Sequence, residues 1–109
     1  MSKNELFPTP TLKINEKRAE LAPASMDAWR NFSKTVFQDG ALSEKTKHLI
    51  AIAVAHTTQC PYCIRSHTKQ ALNKGASQEE IMESIWVAAE MRAGAAVAHS
   101  ALAIDEMGD

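Results

Sequence analysis

The 109-residue chain has no block of like charge. Its 12 basic and 13 acidic residues are interspersed and leave a net charge of −1. Without a basic stripe to neutralise phosphates, neither nucleic acid nor an anionic membrane surface is an expected partner. No run approaches the ~18 consecutive apolar residues of a membrane helix. The polar start, MSKNELFPTPTLKINEKR, does not read as a signal peptide. A cytoplasmic location is the resulting expectation. Cysteine is scarce too: there are two, Cys60 and Cys63, at C-x-x-C spacing. In a reducing compartment that spacing points to redox or metal chemistry rather than to a structural staple.

What the chain does have is an apolar surplus. Its length suits one domain, and a domain this small buries only about 65% of the surface its unfolded form exposes. Yet 45% of its residues are hydrophobic, and several segments are apolar on more than one face. A partner subunit is expected to cover the excess.

Local signals predict helices throughout. Residues 1–22 read as an N-terminal arm, extended over FPTPT and with a short helix before Pro23; residues 23–109 read as a single helical domain. Met26, Trp29, Phe32 or Ser33, Val36 and Phe37 recur at helical spacing, with Gly40 as the stop. Ser43 is a good N-cap for EKTKHLIAIAVAHTTQ, whose Leu49–Ala55 stretch is apolar all round and expected to be buried on most sides. Its β-branched residues would also suit a central strand, but the alanines and the start signals favour a helix. Pro61 suits the first position of the next helix, with Cys60 as N-cap and Gly75 as the left-handed end. Ser77 and Glu80 form a capping-box pair; Ile81, Ile85, Val87 or Ala88 and Met91 give the following helix an apolar face; Gly94 is expected to interrupt it. The fold class is therefore all-α, with about five or six helices.

The chemistry concentrates in HTTQCPYCIRSHTKQALNKG, residues 56–75. On a helix starting at Pro61, the cysteines lie one turn apart where the dipole favours a thiolate. His67, four residues after Cys63, falls on the same face and can act as a base toward that thiol. Such a pair can reduce a peroxide through a sulfenic acid, or exchange disulfides with a carrier dithiol. A zinc site would need a fourth ligand beyond Cys60, Cys63 and His67, recruited from His48 or His56, and no second ligand pair follows downstream. Buried, inert thiols are the plainer alternative. CPYC also occurs in glutaredoxins, but those need a strand before the motif, and here no proline follows position 61 to flank the thiols. His99 reads as a satisfied histidine of a packed helix, Trp29, Phe32 and Phe37 as core or interface residues, and Tyr62 as an exposed phenol within reach of an incoming substrate.

Residues 42–103, with C-x-x-C-x-x-x-H set between KTKHLIAIAVA and KGASQEEI, resemble the alkylhydroperoxidase AhpD-like family of the carboxymuconolactone decarboxylase superfamily. The resemblance implies an all-helical fold, assembled as hexamers or trimers, and a peroxidase cycle on hydroperoxides fed by a dithiol reductant. It implies Cys63 as the attacking thiol, Cys60 as the resolving thiol and His67 as the proton relay, with no cofactor. The family commonly has glutamate where this chain has His48, in KTKHL. Histidine still carries protons but brings no fixed negative charge. Lactone decarboxylation, the superfamily's other activity, leaves the thiols without a task. A redox-responsive oligomeric module is the non-enzymatic reading.

Overall fold

The structure, a computed structural model, describes residues 6–109. The first five residues of the expected arm lie outside the described residues. Five helices follow in order: α1 Leu12–Leu21, α2 Pro23–Phe37, α3 Glu44–Thr58, α4 Pro61–Asn73 and α5 Gln78–Met107. Among the described residues there is no strand. The β-branched stretch of α3 is thus helical, as its alanines and start signals predict.

The chain separates into two compact units that divide between Glu44 and Lys45. In the first unit, Thr11 caps α1 by accepting the Ile14 N–H at 3.2 Å. Pro23 then stops α1 and starts α2, because its fixed φ and missing N–H suit a first helical turn. The two helices pack together, yet no residue of either is buried. Trp29 and Phe32, ring centroids 6.0 Å apart, are each 61% exposed, so neither is a core residue of the chain.

In the second unit, α3, α4 and α5 share a small core of Ile52, Ala71, Ala76 and Ile81, with Leu49 and Ile85 packed against it. Short connections reverse the chain twice, so α3 and α5 run in the same direction. Two ties hold them in register. Lys45 Nζ meets Glu80 Oε2 at 2.8 Å, and Arg92 donates to the Thr57 carbonyl at 2.6 Å. The second tie lies twelve residues beyond the first on both helices, a rise of about 18 Å on each. The lower tie is also a cap: Ser77 Oγ accepts the Glu80 N–H at 3.0 Å while Glu80 returns a carboxylate oxygen to the Ser77 N–H at 2.9 Å. At the start of α3, Asp39 takes the Glu44 N–H at 2.7 Å, a cap that sequence reading had not assigned.

Two expectations are corrected. Gly94 does not interrupt the last helix, and α5 continues through it for 30 residues. One glycine costs a helix only about 1 kcal/mol, and the alanines around it are the strongest helix formers. Nor is α3 buried on most sides. His48, Ile52 and Ala55 are buried, but Ile50 and Val54 on the other side are about half exposed. Along α5, Ile81 and Ala88 face inward while Trp86, Val87 and Met91 are exposed. Three helices can cover only one stripe of each other.

Candidate redox site at the start of helix α4

The turn from α3 to α4 fixes Cys60 by every backbone group it has. Gln59 takes a left-handed conformation, with φ of 58°, and the Cys60 N–H returns to the Ala55 carbonyl at 3.0 Å. This is the six-to-one bond of a Schellman end. The Cys60 carbonyl accepts the Ile64 N–H at 3.0 Å, the first bond of α4. Its sulfur sits at the N-cap and accepts the Cys63 N–H at 3.3 Å. Pro61 occupies the first helical turn as the sequence predicts.

Cys60 and Cys63 are joined in a disulfide, with Cα atoms 5.3 Å apart. Both cysteines are partly buried. When the bond opens, the helix dipole and the Cys63 N–H favour negative charge on the Cys60 sulfur. Cys60 is therefore also a good leaving group.

The inward stripe of α4 runs Cys63, His67, Ala71 at four-residue spacing, leading from the disulfide to the core. The inward stripe of α3 runs His48, Ile52, Ala55. Where the stripes meet, His48 Nδ1 and His67 Nδ1 approach to 3.0 Å, with ring centroids 5.2 Å apart and planes at 33°. One of the two nitrogens must carry the hydrogen and the other accept it. His48 is fully buried, the only polar residue among the described ones to be so enclosed. His67 is partly exposed, and its pKa lies below the usual 6.5, first because burial disfavours the cation and second because a charge on His48 would repel it.

Of the four residues that the sequence singled out, His48 lies on α3, Cys63 and His67 on α4 and Cys60 at the α4 N-cap; the cysteines are joined covalently and the histidines hydrogen-bonded to each other. The other histidines turn elsewhere. His56 Nδ1 lies 2.8 Å from the Ile52 carbonyl and His99 Nδ1 lies 2.7 Å from that of Ala95, each one turn back on its own helix. His99 is exposed rather than packed. Among the described residues no group of three or more His, Cys, Asp or Glu side chains converges on a possible metal position. Sequence reasoning missed Gln59 and Arg92. A glycine at 59 would have marked the turn; glutamine does not.

The family model for the carboxymuconolactone decarboxylase family matches residues 23–106. The chain belongs to that family. A Paracoccus denitrificans protein, "Uncharacterized protein 4 in cox locus", is 65% identical over 74 residues, which cover 68% of this chain and 67% of that one. A solved structure from Methanobacterium thermoautotrophicum is 33% identical, covers 78% of this chain and 96% of that one, and superposes with a TM-score of 0.73. A Thermotoga maritima family member, described as a candidate for the antioxidative response, covers 78% of this chain and 97% of that one. At 24% identity and a TM-score of 0.57, it shares the fold.

No described helix of this family member is long and apolar enough to cross a membrane.

Proposed function

We propose that this protein is a cytoplasmic, thiol-dependent peroxidase of the AhpD-like kind, acting in antioxidant defence as a homo-oligomer. The observation that carries the reading is the Cys60–Cys63 disulfide at the start of α4, with His67 on the same helical stripe. The candidate antioxidative role of the Thermotoga relative points the same way.

In the cycle, His67 takes the Cys63 proton and the thiolate attacks the terminal oxygen of hydrogen peroxide or an organic hydroperoxide. An S–O bond forms as the O–O bond breaks, and the proton leaves with the water or alcohol. The Cys60 thiol then displaces water from the sulfenic acid and closes the disulfide. A dithiol reductant, small or protein-borne, reopens it by exchange at Cys60 or Cys63 and is itself oxidised to a disulfide. Lactone decarboxylation would leave the cysteine pair unused. The redox-responsive module remains a second reading, supported by a histidine rather than a carboxylate beside His67 and the exposed apolar side of α5.

Trapping of sulfenic acid after one dose of peroxide tests the roles. A Cys60→Ser variant should form the adduct on Cys63. An adduct found only in Cys63→Ser would exchange the two roles, and none in either variant would count against the peroxidase.

A further inference from the structure

The 3.0 Å contact between His48 Nδ1 and His67 Nδ1 admits two arrangements, and they differ in chemistry. If His48 donates, the hydrogen on His67 resides at Nε2, and His67 cannot act as a base there. If His67 donates, its Nε2 holds the lone pair and is ready to take a proton. The surroundings decide between them. A proton added to the pair keeps the Nδ1 bond only when the charged ring is the donor. Charge resides at lower cost on His67, which is partly exposed, than on His48, which is fully enclosed. Loss of that proton from His67 Nε2 then leaves His67 Nδ1–H pointing at His48 Nδ1 with no ring having moved.

We propose that His48 is a positioning residue: a neutral acceptor that holds His67 in its Nδ1–H tautomer and so keeps Nε2 as the base for Cys63. The inference rests on the thiol-peroxidase reading for its purpose, though not for its geometry. It redefines what the replacement of a glutamate by histidine does. The acceptor is retained and only the negative charge is lost. The proton balance is simple: Cys63 gives its proton to His67 Nε2, His48 keeps its own Nε2–H, and the His67 proton goes to the departing oxygen. No proton crosses between the rings.

Long-range proton–nitrogen NMR on the reduced, histidine-labelled protein reads the tautomers directly. The expected result is Nδ1–H on His67 and Nε2–H on His48; the reverse assignment would overturn the proposal. Alkylation of Cys63 by iodoacetamide, in a Cys60→Ser background, supplies a second readout. His48→Leu should slow it roughly tenfold or more by releasing the tautomer. His48→Gln, whose amide oxygen accepts the same hydrogen, should restore most of the loss. Equal rates with and without His48→Leu in that background would contradict a positioning role. If the tautomers are as stated but the protein consumes no peroxide, the pairing stands and the peroxidase reading fails.

Discussion

His48 occupies the inward stripe of α3, where a carboxylate would have to be buried with its charge and a neutral imidazole is far cheaper to enclose. The consequence falls on His67. Burial, which disfavours the cation, holds its pKa below 6.5, so the neutral, proton-accepting form persists to lower pH than for an ordinary histidine. The acid limb of kcat/KM for peroxide, which loses activity as His67 gains its proton, is therefore expected below pH 6.5. In His48→Glu the added carboxylate favours the imidazolium, raises the pKa and moves the limb to higher pH. A pH–rate profile on both proteins checks this, and a limb that stays in place in the variant would refute it. The sequence shows these two histidines and their helices, because helical spacing is local information. It does not show that they meet Nδ1 to Nδ1, since that depends on the way two stripes pack.

At the scale of the helices, two ends use one device with different residues. α4 closes on Gly75, with φ of 92° and the Ala76 N–H returned to the Ala71 carbonyl at 2.9 Å. α3 closes in the same way on Gln59. A side chain in the left-handed region costs about 1–2 kcal/mol, partly offset by the greater unfolded-state entropy of glycine. Gln59→Gly is thus expected to stabilise the protein by up to about 1 kcal/mol, seen as a higher urea midpoint with an unchanged slope. A lower midpoint would show that the glutamine side chain makes a contact worth more than the strain. Pro61, Gly75 and the Ser77–Glu80 box were legible because each acts within one turn of its own position. Asp39, Gln59 and Arg92 were not: the first caps from five residues away, the second breaks the glycine rule, and the third reaches across 35 residues. Gly94 misled because glycine is a helix breaker on average and merely a weak helix former among alanines.

For the molecule as a whole, the apolar surplus apparent in the composition is apparent again on the surface. Trp86, Met91, Val97, Leu102 and Ile104 are all more than half exposed along α5, more than a lone small domain ordinarily leaves to water. The proposed homo-oligomer predicts a light-scattering mass of several chains, and a Trp86→Glu variant of lower mass. A single-chain mass at micromolar concentration would contradict it. The all-helical class and the cysteine–histidine stripe were readable from spacing, whereas which apolar faces stay open required the packing. The central claim is that the thiols at the start of α4 turn over peroxide, and steady-state consumption of hydrogen peroxide with a dithiol donor tests it most directly. Cys63→Ser, folded as the wild type by circular dichroism, is predicted to lose that turnover; a variant that consumes peroxide at the wild-type rate would contradict the account.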